Sequence, residues 1–174
     1  MDWRTSLLKG LGYKPTKQNL AFLSTWQRWE GGHTNNDARF NWLNTTKPAR
    51  GALGTINSVG VQRFDSYENG IAATIATLRN GRYGDVLEAL ESGDPYSRRP
   101  VAGLQTWVSG SPTGNPGYAQ KVLGGKVVGS PKGPTKNPRL RPPRVESELV
   151  QPKSPNGAWD YAMSLIFADD PRMK

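Results

Sequence analysis

The sequence contains no cysteine and a single histidine, His33, among its 174 residues. Without cysteine there is no disulfide framework and no thiolate zinc site, and one histidine excludes a multi-histidine metal site. We therefore expect chemistry that needs neither a metal nor another cofactor. No run of residues approaches the roughly 20 consecutive apolar side chains that cross a membrane, so no membrane span is expected. The first residues lack a basic segment followed by a long apolar core, and therefore predict no secretory signal.

Positive charge is concentrated in one short part of the chain. The formal net charge is +9, and residues 121–153 supply +6 of it with 8 basic and 2 acidic side chains. Such a segment attracts nucleic acid, an anionic cell wall or an acidic protein surface. Because no aromatic residues are interleaved with these Lys and Arg residues, we do not expect a stacking platform for single-stranded nucleic acid. Nucleic-acid binding through this basic segment is kept as a weaker alternative.

The composition indicates that part of the chain lies outside a hydrophobic core. The mean hydropathy is −0.65 and the hydrophobic content is 35%, both low for a compact chain of this length. Residues 126–157 hold seven prolines and are expected to form an extended, partly polyproline II arm. We therefore divide the chain into a domain at 1–124, a basic Pro-rich arm at 125–157 and an amphipathic helix at 158–174. That last helix is expected to dock into a partner or back onto the first domain.

Hydrophobic periodicity predicts a mainly α fold for residues 1–124, with one short extended segment. Helices are predicted at about 2–10, 17–30, 66–80, 85–91, 100–108 and 118–123, with a loop at 31–57 and a strand at 58–64. Thr16 is the predicted N-cap of the second helix. Asp65 and Glu68 are the predicted capping box of the third helix, which Gly81 is expected to end.

Glu30 is the acid whose setting points to chemistry. It ends the second predicted helix on the same face as Leu23 and Trp26, at the spacing i, i+3 and i+7. Burial beside tryptophan and the negative end of the helix dipole at Gly31–Gly32 both favour a protonated carboxyl. An acid that keeps its proton near neutral pH is what glycosidic bond cleavage requires. The tryptophans themselves, Trp26 and Trp29, are predicted to be core residues.

A second catalytic carboxylate is not evident in the sequence. Glycosidases that use two carboxylates hold them roughly 5 to 9.5 Å apart. Asp37 lies in an Asn-rich loop, where a solvated turn residue is expected, and Asp65 is already assigned to a helix cap. Glu30 is therefore the predicted chemical centre by itself.

Several short motifs follow one another between about residues 18 and 90. They are Trp26-x-x-Trp29-Glu30-Gly31-Gly32, Asn35-Asn36, Asn44-Thr45-Thr46, Asn57-Ser58-Val59-Gly60-Val61-Gln62, and Phe64-x-x-Tyr67-x-x-Gly70-Ile71-x-Ala73 followed by Leu78. Taken together, they resemble the lysozyme-like (lytic-transglycosylase-like) domains of bacteriophage virion and tail proteins. The resemblance covers about half of the chain.

The resemblance implies an α-rich lysozyme-like fold in which Glu30 is the acid/base residue. The residues that it places along the glycan groove are Asn44, Thr45, Thr46, Ser58, Gln62 and Tyr67. Lytic transglycosylases of this kind use one Glu, which protonates the leaving glycosidic oxygen and then accepts the proton of the sugar's own 6-hydroxyl. That scheme needs no partner acid, whereas hydrolysis of the lysozyme type stays open as the other chemistry.

Two hypotheses of function follow from these observations. The first is a virion enzyme, made in the host cytoplasm, that cleaves the peptidoglycan glycan strand at the bacterial cell wall. Other virion proteins would hold it through residues 126–174, in a multimeric assembly. The alternative is a structural tail or connector protein that keeps a lysozyme-like fold without turnover.

Overall fold

The computed structural model describes residues 2–124 and is mainly α-helical, as the sequence predicted. In chain order the elements are α1 (Trp3–Leu11), α2 (Lys17–Glu30), β1 (Ala52–Thr55), β2 (Gln62–Phe64), α3 (Tyr67–Leu78), α4 (Gly84–Ser92), α5 (Pro95–Arg98), α6 (Val101–Ser109) and α7 (Pro116–Leu123). The predicted arm at 125–157 and helix at 158–174 lie outside the described residues. Within the described range, no helix combines the length and the apolar character needed to cross a membrane.

The helix that carries Glu30 begins and ends where the sequence predicted. The Thr16 hydroxyl accepts the main-chain N–H of Asn19 at 3.1 Å, which satisfies one of the free donors of the first turn of α2. At the other end Gly31 adopts a left-handed conformation with φ 67°, and its N–H donates to the carbonyl of Gln27. Glycine closes a helix in this conformation without the strain that a Cβ would add. Glu30 is thus fixed as the last helical residue.

Both ends of α3 differ from the predicted ones. Its N-cap is Ser66, whose hydroxyl accepts the main-chain N–H of Asn69 at 3.3 Å, so the assignment of Asp65 as the cap was wrong by one residue. Asp65 instead accepts a hydrogen bond from the side chain of Asn69. The helix also ends at Leu78, with Arg79 as its C-cap, before the predicted stop at Gly81.

A two-stranded antiparallel hairpin stands between α2 and α3. Its first strand falls inside the segment predicted as loop, and its second strand starts at Gln62 rather than at residue 58. Ala52 pairs with Phe64 and Thr55 with Gln62, with an irregularity between the two pairs. Residues 57–60 form the turn, in which the side-chain carbonyl of Asn57 accepts two main-chain N–H groups. The second strand is therefore shorter than the period-two pattern predicted, and its partner strand was not predicted.

One face of α2 lies in the hydrophobic core. Phe22, Leu23 and Trp26 are fully buried there, and α2 contacts α1, α5 and α7, while α3 packs against α1 on the far side. The prediction that Trp29 belongs to the core was wrong, because its side chain is 47% exposed. The short helix α5 was not predicted; Asp94 caps it by accepting the main-chain N–H groups of its first turn.

Candidate active site

Glu30 lies where the end of α2 meets α7 and the loop that follows α2. Glu30 as a whole residue is partly exposed to solvent, whereas its carboxyl is in a buried environment. The residues that contact it come from three separate parts of the chain, at positions 26–44, 107 and 118. The carboxyl is therefore enclosed by residues that only the tertiary structure brings together.

Tyr118 is the residue that binds the Glu30 carboxyl directly. The side chain of Asn115 caps α7 by accepting the N–H of Tyr118, and Pro116 occupies the first turn, where a missing N–H costs nothing. This helix packs against α2 and places the buried Tyr118 hydroxyl against Glu30, to whose Oε1 it donates a hydrogen bond. The contact joins residues 88 positions apart in the sequence.

Two tryptophans form the inner wall of the site. Trp26 is fully buried one turn before Glu30, and its ring meets that of Trp107 edge to face with centroids 4.9 Å apart. The indole N–H of Trp107 donates to the carbonyl of Leu43 at 2.9 Å. The indole N–H of Trp26 has no hydrogen-bond partner of normal geometry. Both indoles nevertheless lie close enough to the Glu30 carboxyl to affect its pKa.

The pKa of Glu30 is raised from 4.5 to about 7. Burial is the main cause, since removal from water disfavours the charged form, and this confirms the expected effect of desolvation. Donors on Tyr118, Trp107, Trp26 and Asn44 act in the opposite direction because they stabilise the carboxylate. Burial, and then the adjacent charge of Glu30, raise the pKa of Tyr118 well above its usual range, so its hydroxyl stays a proton donor.

Asn44 is the predicted groove residue that the fold brings to Glu30. Its side-chain N–H group donates to the main-chain carbonyl of Glu30 at 2.6 Å, and its side-chain carbonyl accepts from Asn36 at 3.1 Å. The residue holds a left-handed backbone conformation with φ 55°, which Asn tolerates better than most residues. The loop is thus fastened to the end of the helix that carries the acid.

The neighbouring predicted residues take other positions. Thr45 is buried, and its hydroxyl shares a hydrogen bond with that of Thr77 on α3. Gln62 is also buried, and its side-chain amide donates to the carbonyls of Thr46 and Gly60. The Thr45 contact holds the loop against α3, and the bond from Gln62 to Thr46 holds the hairpin against the loop. Thr46 itself, like Ser58 in the hairpin turn, has an exposed side chain.

Tyr67 lies on the side of the loop that faces α1. Its hydroxyl donates to the hydroxyl of Ser6 at 2.9 Å, and its ring meets that of Trp42 edge to face at 5.2 Å. Trp42 in turn stacks on Trp3 with centroids 5.6 Å apart. The described contacts of Tyr67 therefore join it to α1 and the loop rather than to the Glu30 carboxyl.

No second carboxylate contacts Glu30 in the part of the chain that the structure describes. Asp37 is exposed, Asp65 binds Asn69, and Asp85 accepts the N–H of Gly103 at the start of α6. Nor do residues 2–124 bring together three or more His, Asp or Glu side chains that could hold a metal ion.

Sequence reasoning missed Tyr118 and Trp107 as members of the site. Both were assigned only to predicted helices, although a buried tyrosine needs a partner for its hydroxyl. This requirement indicates that Tyr118 has a hydrogen-bond partner. It does not identify Glu30 as that partner, because the two residues are 88 positions apart in the sequence.

No protein-family model, curated protein or solved structure matches the chain.

Proposed function

We propose that this protein cleaves the glycan strand of peptidoglycan by a mechanism with one acid, Glu30. The observation that carries the proposal is the carboxyl of Glu30, which ends α2, is bound by the Tyr118 hydroxyl and has a pKa raised to about 7, in a residue that is partly exposed. At neutral pH such a group is divided between its two forms, so it can give a proton and take one back. The resemblance of residues 18–90 to lytic-transglycosylase-like domains supports the choice of substrate.

The reaction starts from protonated Glu30. It gives its proton to the glycosidic oxygen as the bond to the anomeric carbon breaks, so that the leaving sugar departs as a neutral alcohol. The carboxylate that remains then accepts a proton, either from the sugar's own 6-hydroxyl as that oxygen closes onto the anomeric carbon, or from an attacking water. The first path yields an anhydro sugar and the second a reducing end. Neither path needs a second protein carboxylate as a nucleophile.

We also propose that the enzyme is carried in a virion and acts at the cell wall. The basic segment at 121–153 and the apolar residues Trp159, Met163 and Ile166 suit contact with other virion proteins. Several copies within one assembly would follow from such anchoring. An inactive structural tail or connector protein is the alternative, and the experiment below separates it from the enzyme.

The test compares the full-length protein with Glu30→Gln on purified sacculi. Gln keeps the shape of the side chain and removes the transferable proton, so we expect loss of nearly all release of soluble glycan. Glu91→Gln is the matched control, since Glu91 is exposed on α4. Analysis of the products distinguishes the two reactions: anhydro sugars indicate a lytic transglycosylase, and new reducing ends indicate hydrolysis. Equal release by wild type and Glu30→Gln would overturn the role of Glu30, and no release by folded wild type would favour the structural alternative.

A further inference from the structure

One buried hydrogen-bond donor beside the candidate acid has no partner. Among the buried side-chain atoms of residues 2–124, this is the indole N–H of Trp26; the other unpartnered atom is the acceptor Asn19 Oδ1. Trp26 is fully buried, so its N–H cannot be satisfied by bulk solvent. Leaving a buried donor unpaired costs stability, and such a group in a folded protein calls for an explanation.

The neighbouring tryptophans show that the fold can satisfy indole donors. Trp107 donates to the carbonyl of Leu43 at 2.9 Å, Trp3 to the side chain of Gln27 at 3.0 Å, and Trp29 to the carbonyl of Lys121 at 3.2 Å. The free donor of Trp26 is instead found one helical turn before Glu30. Trp26 and Glu30 are four residues apart on α2, so their side chains are neighbours on one face of the helix. The indole contributes in the same direction at Glu30 and at Tyr118, since it partly offsets the rise that burial causes in both pKa values.

We propose that the indole N–H of Trp26 is a donor held for the ionised form of Glu30, and that Trp26 and Tyr118 together cradle the carboxylate. A protonated carboxyl is a donor as well as an acceptor, whereas a carboxylate only accepts and does so more strongly. Tyr118 already binds Oε1, and the carboxylate has acceptor capacity for a second donor. Trp26 acts through Glu30, so it is a positioning residue.

Burial and hydrogen-bond donors, rather than neighbouring charges, determine the pKa of Glu30. Tyr118 is the titratable side chain on α7 that contacts it, while Lys121 on the same helix lies over the Trp29 ring at 4.9 Å. From α6 it meets Trp107, and from the loop Asn44, neither of which carries a charge. Removing the Trp26 N–H without changing the shape of the ring should therefore raise the pKa of Glu30 by about one unit.

The role of Trp26 in turnover rests on the proposed function, but its effect on the Glu30 carboxyl does not. If Glu30 must be ionised in the second half of the reaction, loss of the donor should slow that half. The pH dependence of cleavage should then shift toward higher pH together with the carboxyl pKa.

The experiment replaces Trp26 in the full-length protein by benzothienylalanine, in which sulfur takes the place of the indole N–H. The pKa of Glu30 is read from the carbon-13 shift of its carboxyl, with Glu30→Gln to assign the signal. We expect the pKa to rise by about one unit relative to wild type. The same replacement at the exposed Trp29 is the control, and the pKa of Glu30 should not change in that variant. An unchanged or lowered pKa in the Trp26 variant would overturn the proposal.

A measurement on the unmodified protein keeps the proposal testable if the variant does not fold. The proton resonance of the Trp26 indole N–H should move downfield as Glu30 ionises and should lose this titration in Glu30→Gln. If the Trp26 indole signal does not change as Glu30 ionises, the proposed donor role of Trp26 is wrong. Wild type that shows the coupled titration but releases no glycan would defeat the proposed function and leave the donor role of Trp26 standing.

Discussion

The side-chain amide of Asn44 lies 2.6 Å from the main-chain carbonyl of Glu30 and donates a hydrogen bond to it. Carbonyls of the last helical turn have no partner within the helix, so this bond satisfies one of them. A residue that the resemblance places along the glycan groove thus also stabilises the end of the acid-bearing helix, which Gly31 closes. The side-chain carbonyl of Asn44 accepts from Asn36, so both polar atoms of this side chain have a protein partner.

Replacing Asn44 by Ala should lower the free energy of unfolding by about 2 kcal/mol, through the lost hydrogen bonds and through strain at φ 55°. Asn44→Gly removes the same hydrogen bonds but tolerates the left-handed backbone, so it should lose less. Urea unfolding measures both, with the exposed Thr46→Ala as a control of nearly unchanged stability. Equal stability of Asn44→Ala and wild type would contradict the capping role.

Glu30 should make the stability of the protein fall as pH rises. Its pKa in the folded protein is about 7, against an ordinary value of 4.5, so the folded state binds the proton more tightly than the unfolded state does. The resulting stabilisation is fully present below about pH 4.5 and is lost as pH rises through 7. The difference between these pKa values corresponds to about 3 kcal/mol.

Glu30→Gln should remove this dependence, because its amide does not titrate. Between about pH 4.5 and pH 8, wild type should therefore lose about 3 kcal/mol relative to the variant. Denaturant unfolding at several pH values measures the difference. Parallel stability curves for the two proteins would show that the pKa of Glu30 is not raised in the folded state.

Tyr118→Phe should raise the pKa of Glu30 further, because the hydroxyl that stabilises the carboxylate is lost. We expect an increase of about one unit, an alkaline limb of glycan cleavage that moves to higher pH, and a greater loss of stability at pH 8 than at pH 5. Tyr96→Phe is the matched control, because it removes the same hydroxyl group from a tyrosine whose ring packs on Phe22. A Glu30 pKa that stayed the same in Tyr118→Phe would argue against this contact.

His33 should loosen the loop at low pH. Its Nδ1 accepts the main-chain N–H of Phe40 at 2.8 Å, and burial and then the charge of Arg39 lower its pKa below 6.5. The neutral ring is therefore the form that the fold prefers, and its contribution to stability is present above 6.5 and lost as the pH falls through the lower folded value. Protonation removes the acceptor, so exchange of the Phe40 amide hydrogen should quicken, after correction for the intrinsic pH dependence.

His33→Gln is the comparison for this loop. Its side chain does not titrate, so the protection of the Phe40 amide in that variant should no longer change between pH 7 and pH 5. A wild-type amide that stays equally protected over this range would contradict the role of His33.

Local features of the fold were predictable and distant ones were not. Thr16 and Gly31 were identified correctly because a helix cap is determined by residues within one turn of it. The N-cap of α3 was harder to predict, because Asp65 and Ser66 are neighbours and both residue types are good caps. In the structure both bind Asn69: Ser66 accepts its main-chain N–H and Asp65 accepts its side-chain N–H. Strand β1, with Ala, Leu, Gly and Thr, has little strand propensity of its own and forms by pairing with β2.

The candidate site also has a part that the local sequence predicted and a part that it did not. The position of Glu30 and the direction of its pKa shift followed from apolar spacing and a glycine stop within a few residues. The residues that complete the site, Trp107 and Tyr118, reach it only through the packing of α6 and α7 on the rest of the domain. No local pattern encodes that arrangement.

The long sequence separation between Glu30 and Tyr118 has a consequence for the newly made chain. The ribosome delivers residues in order, so Glu30 leaves the exit tunnel 88 residues before its hydrogen-bond partner. Until α7 has emerged and packed, the Glu30 carboxyl lacks the Tyr118 hydroxyl and the cover that this helix gives to the end of α2. The contacts of this candidate acid are therefore completed only after the last helix that the structure describes has been made.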